Sequence, residues 1–425
     1  MAQMDQLAPA LRAAGDPRRK SLCAWLLGEA REAMDVSEVL DGFGRRLVAA
    51  GVPLVRASTH IQALHSERTG TGRVWRPDNG IVEQHYGFDP EEEKAYQVSP
   101  IRTVHDSRKP LELWPQRDEI NYGVLPDLKA EGVVHYWLVP LFFTDGSVQA
   151  ASFSTKEKGG FLPEDMALIA SLLPLYTQVL ELKTVRRELA EVLSIYVGRE
   201  PGSRILAGQV RRGEVSSLSA AILFADLRGF TKLSNELDNN ALVSLLNRYF
   251  DCFVPPVAAQ GGEVLKFIGD ALLAIFPQPE GEAPVAEPRV RALAAAEEGL
   301  ANLATYNAQE RAGLEPLRAG IALHLGRVAY GNVGSVERQD FTVIGRDVNL
   351  VSRLASISSR LGSHPLLASQ AFVKGLNRPS QALGTFRMKG FREKQPVFAL
   401  PEPGAALPPA IHASVQAEAS QSPAG

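Results

Sequence analysis

The N-terminal half of the chain alternates between apolar and polar positions in patterns that predict one amphipathic helix and a sheet. Asp35 to Ala50 has apolar residues three and four positions apart behind an aspartate that suits an N-cap, which predicts a helix. Residues 1–35 before it predict a helical lead-in. The runs that follow are rich in β-branched and aromatic residues and predict strands at Leu54–Leu64, Gly72–Trp75, Ile81–Phe88 and Pro110–Trp114. Val133–Phe143 and Val148–Phe153 predict a hairpin closed by a polar turn.

A long helix is predicted from Pro163, because proline and the acidic residues after it suit a helix start. Its continuation carries an apolar stripe spaced three and four apart, which consists of Leu182, Val185, Leu189, Val192 and Tyr196. The stripe predicts either a short coiled-coil-like seam that holds two chains in parallel, or a face that packs on its own domain. Residues 181–214 form the predicted helical or coiled-coil linker, in which Gly198–Gly213, with Pro201-Gly202, is predicted to be a flexible joint.

The order of elements in residues 36–180 resembles a GAF-type sensory domain. A helix, strands, a hairpin and the Phe161-Leu-Pro-Glu-Asp165 lead into the exit helix carry the resemblance. It implies an α+β domain that binds an unknown small-molecule or ionic regulator; a plain dimerisation domain is the alternative. The histidines of this half lack metal-ligand spacing and do not predict a metal or haem site; they are His60, His65, His85, His105 and His135.

Two segments of the C-terminal half are apolar runs that break at a carboxylate. One ends at Asp226 and then turns into a helix at Gly229-Phe230-Thr231, whose backbone amides can cradle phosphate. The other, Val264–Phe276, predicts a hairpin with Gly269-Asp270 at its tip. Paired carboxylates at neighbouring strand ends suit hard divalent cations. Asp226 and Asp270 are therefore predicted metal ligands.

Further polar residues lie on the elements that follow. The predicted helix Asp347–Leu361 places Asn349 and Arg353 on one face and apolar residues on the other. Residues 320–334, which include Arg327, predict a strand, a turn and a second strand; His324 is predicted to be structural.

In this order the segments resemble the catalytic domain of class III nucleotidyl cyclases, and in detail an adenylate cyclase, over about residues 215–400. The resemblance implies a ferredoxin-like α+β domain with an antiparallel or mixed sheet. It also implies two Mg²⁺ (or Mn²⁺) ions held by Asp226, Asp270 and the Leu227 carbonyl. By the same resemblance Arg327 binds phosphate, Asn349 orients the ribose and Arg353 stabilises the transition state.

Two residues predict the base. Adenine has an acceptor at N1 and a donor at N6, which Lys266 and the Thr342 hydroxyl complement. Guanine has the opposite pattern and would favour a carboxylate in place of Lys266. Lysine with threonine resembles a subgroup of adenylate cyclases whose members often respond to bicarbonate.

The family builds its site between two catalytic domains, which implies a homodimer with composite sites. One domain supplies both aspartates and Arg327; the other supplies Lys266, Thr342, Asn349 and Arg353. The alternatives are a guanylate or other nucleotidyl cyclase and a catalytically silent nucleotide-sensing module. A diguanylate cyclase is disfavoured, because its acidic hairpin signature is absent.

Composition limits the partners and the cellular location that are expected. The 425 residues are 45% hydrophobic and 22% charged with a net charge of −3, which gives no reason to expect nucleic acid as a partner. No apolar run has the length of a membrane span, and two distant cysteines fit a reducing interior, so a cytoplasmic protein is expected. Residues 401–425 are predicted to be disordered.

Overall fold

The computed structural model describes residues 15–119, 122–278, 287–311, 315–358, 361 and 364–401. The chain divides into two units, Met1–Val192 and Leu193–Gly425. The predicted lead-in lies partly outside the described residues. The predicted disordered tail lies outside them except for Pro401.

The first unit alternates helices with strands. Its helices are α1 (Pro17–Leu27), α2 (Glu29–Glu32), α3 (Val36–Ala49), α4 (Pro90–Gln97), α5 (Pro100–Ser107), α6 (Leu125–Ala130) and α7 (Pro163–Tyr196), the last of which extends into the second unit. Its strands are β1 (Arg56–Gln62), β2 (Gly70–Arg76), β3 (Gly80–Tyr86), β4 (Leu111–Leu113), β5 (His135–Phe142) and β6 (Val148–Thr155).

The six strands form one antiparallel sheet in the order β3-β2-β1-β6-β5-β4. Because side chains alternate along a strand, the sheet has two faces. One face packs against α1, α3 and α7, where Phe43 stacks on Tyr176 at 4.3 Å and Trp75 is buried. A smaller apolar cluster that includes Val104 and Leu138 is separate from that core. The N-terminal unit is therefore an α+β domain.

Most elements predicted for this unit are confirmed. Asp35 caps α3 by accepting a hydrogen bond from the Glu38 amide, and the hairpin β5–β6 closes at residues 143–147. Helices α4 and α5 were not predicted, because Pro90 and Pro100 resemble chain breakers. In the structure each proline occupies the first helical turn, where no amide proton is needed.

The stripe on α7 is exposed. Leu182, Val185 and Leu189 are 51%, 55% and 51% exposed, so the alternative that they pack on their own domain is wrong. In the described part of the chain, α7 is the helix that is long and apolar enough to cross a membrane, and half of its apolar window is buried. Buried core helices of soluble proteins satisfy the same criterion.

The second unit contains a larger sheet. Its helices after α7 are α8 (Arg199–Leu206), α9 (Phe230–Glu236), α10 (Asn239–Ala259), α11 (Pro288–Gln309), α12 (Arg346–Ser358) and α13 (Gln370–Val373). Its strands are β7 (Val215–Leu227), β8 (Glu263–Ile268), β9 (Ala271–Pro277), β10 (Ala319–Gly334), β11 (Gln339–Ile344), β12 (Leu366–Ser369), β13 (Gln381–Phe386) and β14 (Gln395–Ala399).

This sheet is mixed and has helices on both faces. The strand order is β13-β14-β12-β10-β7-β9-β8, with β11 beside β10, and only the β10–β12 pair among these ladders is parallel. Alternate residues of β7 face opposite cores. Leu223 packs with residues of α10 and α11, whereas Ile222 packs with residues of α12. The prediction of an α+β domain with a mixed sheet is confirmed.

Two predictions for this unit are wrong. Residues 319–334 form one unbroken strand, because β7 pairs with β10 from Ala319 through Gly331 and leaves no turn at Arg327. The joint at residues 198–213 contains helix α8. Pro201 lies in its first turn, where proline is tolerated, and Gly202 lies against the backbone of Leu193.

Candidate active site

Two aspartates meet at one end of the central strands. Residues 220–225 of β7 are buried, and Asp226 follows them near the end of the strand. Its register partner in β9 is Ala271, and Asp270 is the residue just before Ala271 at the tip of the β8–β9 hairpin. Antiparallel pairing thus brings the two carboxylates side by side, both half-buried.

The electrostatics of this pair favour a cation. Burial and then the carboxylate of Asp270 raise the pKa of Asp226 to about 6, while Arg228 acts in the opposite direction. Burial also raises the pKa of Asp270. Beneath them Tyr249 is fully buried, and its hydroxyl has no hydrogen-bond partner among the described residues. Two carboxylates that repel each other in a half-buried site are stabilised by a divalent ion between them.

The donor set fits magnesium or manganese. Asp226 and Asp270 offer carboxylate oxygens, and Leu227 adds a backbone carbonyl beside them. Across the described part of the chain, no group of three or more histidine, cysteine or acidic side chains is arranged to hold a metal ion. Mg²⁺ is commonly bound by one or two carboxylates, with water and substrate phosphates as the other ligands, so the small acidic set is compatible with it.

A second group of residues lies where β8 meets β11. The Lys266 ammonium forms an ion pair with the Asp340 carboxylate. Thr342, two residues further along β11, is 4% exposed, and its hydroxyl has no partner among the described residues. The ion pair therefore joins a donor on β8, Lys266, to the segment of β11 that carries the buried Thr342 hydroxyl.

A third group lies on and around α12. Asn349 and Arg353 are exposed on one face, while Val351 and Leu354 of the opposite face are buried. The predicted amphipathic helix is confirmed, with its described end at Ser358. Arg327 on β10 is exposed.

Asp347, which the sequence did not single out, fixes the start of α12 against β10. Its carboxylate accepts a hydrogen bond from the Arg327 amide at 2.8 Å and lies 3.5 Å from Nε2 of His324. A Cβ atom at Gly326 would overlap this carboxylate, so only glycine fits there. An aspartate in the first turn of a predicted helix was the available signal. Asp347 thereby positions the helix that carries Asn349 and Arg353.

His324 is structural, as predicted. It is 4% exposed, and its Nδ1 lies 2.7 Å from the Ser369 hydroxyl. Burial lowers its pKa against the effect of Asp347, so the imidazole is neutral near neutral pH. At the start of α9, Phe230 is half-buried and Thr231 is exposed. Their contact with phosphate remains a prediction.

The aspartates and Thr342 lie at opposite ends of β10. The residue opposite Asp226 in β10 is Gly320, and the residue opposite Thr342 is Gly331. Gly320 and Gly331 are eleven residues apart, which corresponds to about 36 Å measured along the strand at about 3.3 Å per residue. Among the described residues, no hydrogen bond or ion pair joins the aspartates to Lys266, Thr342, Asn349 or Arg353.

Comparison with known proteins agrees with this geometry. Residues 215–400 match the family described as adenylate and guanylate cyclase catalytic domain. The C-terminal region is therefore a nucleotide cyclase catalytic domain.

Two named adenylate cyclases are similar to part of the chain. The chain is 35% identical over 174 residues to adenylate cyclase 1 of Rhizobium meliloti, covering 40% of this chain and 25% of that protein. It is 31% identical over 169 residues to an adenylate cyclase of Anabaena cylindrica, covering 39% and 32%. The chain thus spans about a quarter to a third of the length of these relatives.

Solved structures of both kinds of cyclase are similar to the chain. The adenylyl cyclase CyaB from P. aeruginosa is 30% identical, with 44% of this chain and 95% of that chain covered and a TM-score of 0.38. The guanylyl cyclase Cya2 is also 30% identical, with 44% and 94% covered and a TM-score of 0.39.

Proposed function

We propose that this chain is an adenylate cyclase that converts ATP to 3′,5′-cyclic AMP and pyrophosphate. The observation that carries the proposal is the ion pair of Lys266 with Asp340 of β11, two residues before Thr342, whose buried hydroxyl has no partner among the described residues. Lysine can only donate, and it suits the adenine N1 acceptor. The threonine hydroxyl can accept from the exocyclic N6 amine. Binding of adenine would give the Thr342 hydroxyl the hydrogen bond that it lacks.

The reaction forms a bond from the ribose 3′ oxygen to the α-phosphorus as the bond to pyrophosphate breaks, and the hydroxyl proton is lost to solvent. Asp226, Asp270 and the Leu227 carbonyl would hold two Mg²⁺ or Mn²⁺ ions. Those ions, when bound, supply activation of the 3′ hydroxyl and neutralisation of the triphosphate. The remaining work is positioning and charge stabilisation.

The polar face of α12 supplies that positioning. Asn349 orients the ribose through its amide, which both donates and accepts. Arg353 donates to the α-phosphate as negative charge develops there, because a guanidinium remains charged and matches phosphate oxygens. Arg327, together with the amides of Phe230 and Thr231, binds the triphosphate. The exposure of Arg327, Asn349 and Arg353 leaves all three side chains free to meet a nucleotide.

The active form is a homodimer in which each site combines two chains. One chain supplies Asp226, Asp270 and Arg327; the other supplies Lys266, Thr342, Asn349 and Arg353. The exposed leucines and valine of α7 support a parallel contact between two copies. We place the protein in the cytoplasm, with the N-terminal unit as a GAF-like sensor.

A guanylate cyclase is the second candidate, and one contact favours it. The Asp340 carboxylate beside Lys266 could accept from N1 and N2 of guanine, while Lys266 donates to O6. The same ion pair can instead hold the Lys266 ammonium in place for adenine. The Thr342 hydroxyl can accept from adenine N6 or donate to guanine O6, so the comparison of ATP with GTP as substrates decides between the two candidates.

Product analysis tests the proposal. The purified chain is incubated with ATP, GTP, CTP or UTP and with Mg²⁺ or Mn²⁺, and the products are separated and identified by mass. Cyclic AMP from ATP, at a kcat/KM at least tenfold above that for GTP, is the expected result. Cyclic GMP as the main product would establish the second candidate. No cyclic nucleotide with either metal would make the domain a silent module.

A further inference from the structure

A row of polar side chains lines one face of the N-terminal sheet. Arg56, Ser58 and His60 alternate along β1 and therefore point to the same face. The register partners of the first two are Ser154 and Ser152 on β6, and both serines are fully buried. Polar side chains on a buried sheet face are unusual, and buried polar groups are normally hydrogen-bonded, so these side chains require hydrogen-bonding partners.

Arg56 is a buried cation without a counter-charge. It is 7% exposed, and its only hydrogen bond among the described residues is a long one of 3.4 Å to the Ser152 hydroxyl. Its Nε has no partner, and no described carboxylate forms an ion pair with it. The pKa of Glu131 is lowered mainly by its hydrogen bond to Arg76 and to a smaller degree by the charge of Arg56. Its ion pair, at 2.5 Å, is with Arg76.

A second buried arginine in the same sheet shows the usual arrangement. Arg73 on β2 is 3% exposed, yet it donates to the Glu83 carboxylate at 2.7 Å and to the Ser37 hydroxyl at 3.2 Å. Burial of an ion without such partners is strongly unfavourable, which is why buried arginines are paired. Arg56 lacks what Arg73 has.

The surroundings of Arg56 offer hydrogen bonds and the face of the Tyr136 ring, whose centroid lies 5.9 Å from the guanidinium carbon, but no described carboxylate pairs with it. Ser152 contacts the Ser58 hydroxyl at 2.6 Å, which in turn lies 3.1 Å from Nε2 of His60. Burial, then Arg56 and His105, lower the pKa of His60 to about 3, so its ring is neutral. His60 Nδ1 and the Ser154 hydroxyl are also buried without a partner among the described residues. A water molecule could serve these groups, but it would leave the guanidinium charge uncompensated.

We propose that Arg56, with Ser58, Ser152 and His60, binds a compact oxyanion, the carboxylate or phosphate head of a small molecule. The site lies on the face of the N-terminal sheet opposite the one that packs against α1, α3 and α7. The guanidinium fork matches two oxygens of either head group, and the serine hydroxyls and neutral imidazole donate to the others. The site lies in the first unit and does not depend on the activity proposed for the second.

The test compares the unmodified chain with Arg56→Met and Arg73→Met, which remove an unpaired and a paired buried guanidinium, respectively, from one sheet. Each protein is melted in sodium chloride, in inorganic phosphate and in acetate at equal ionic strength. We expect phosphate or acetate to raise the wild-type Tm by about 3–5 °C at tenfold the dissociation constant. The anion that acts identifies the head group.

The variants are expected to diverge. Arg56→Met should melt no lower than the wild type in chloride and should show no anion-dependent shift. Arg73→Met should melt lower, because Glu83 loses its partner, and should keep the shift. Hydrogen exchange of the wild type should slow on anion addition in peptides from β1 and β6. The proposal is overturned if neither anion changes Tm or exchange in the wild type, or if Arg56→Met retains the full shift.

Discussion

The Thr342 hydroxyl offers a perturbation that should separate catalysis from folding. Thr342→Val replaces a buried hydroxyl, which has no partner among the described residues, by a methyl group of similar size. Since an unpaired buried hydroxyl costs about 1–3 kcal/mol, its removal should leave the free energy of unfolding unchanged or higher. With ATP bound, the same change leaves the N6 amine unpaired.

That loss sets the expected effect on turnover. If leaving the N6 amine unpaired costs about 1–3 kcal/mol, kcat/KM for ATP should fall by about 5- to 150-fold. The assay measures kcat/KM for ATP and GTP together with Tm. Thr305→Val is the control, because Thr305 is exposed on α11 and its hydroxyl donates only to the Ala301 carbonyl. The reasoning fails if ATP kinetics stay within about twofold of wild type, or if Tm falls by several degrees together with activity.

Three further predictions concern folding and metal. Gly326→Ala forces a methyl group into the Asp347 carboxylate, so Tm should fall by an amount equivalent to about 1–3 kcal/mol and activity should fall with it; an unchanged Tm would contradict the close packing. Burial raises the pKa of Glu263 to about 7 from 4.5, so the folded state binds its proton more tightly and stability should fall as pH rises from about 4.5 to 7, by about 1–3 kcal/mol. Denaturant titrations of Glu263→Gln should show a smaller fall, and an identical pH profile would refute the assignment. Asp270→Asn relieves the repulsion with Asp226, so the metal-free variant should melt higher near neutral pH and lose the stabilisation that Mg²⁺ gives the wild type; equal Mg²⁺ shifts in both proteins would place the metal elsewhere.

Local chemistry made much of the catalytic unit predictable. The Gly269-Asp270 tip follows from turn residues between two apolar runs, and the glycine takes a left-handed conformation there with a φ of 65°. The face of α12 that carries Asn349 and Arg353 follows from helical spacing. Both are properties of a few consecutive residues.

Long-range contacts explain what the sequence did not reveal. Gly326 resembles a turn residue, but it is required because Asp347, on another element, occupies the space of a side chain. The ion pair of Lys266 with Asp340 joins residues 74 positions apart, and the isolation of Arg56 depends on which carboxylates the fold brings near it. Prolines at helix starts, such as Pro201, were misread because the same residue ends helices elsewhere.

Mixing two inactive variants tests the shared cyclase site most directly. Asp226→Ala removes a predicted metal ligand and Arg353→Ala removes the transition-state arginine, so each homodimer should be inactive with ATP. In an equal mixture that exchanges freely, half of the dimers combine both variants, and each has one intact site. Cyclic AMP formation should therefore return to about a quarter of the wild-type rate per chain. Full exchange without recovered activity would show that both residues act within one chain and would contradict the account.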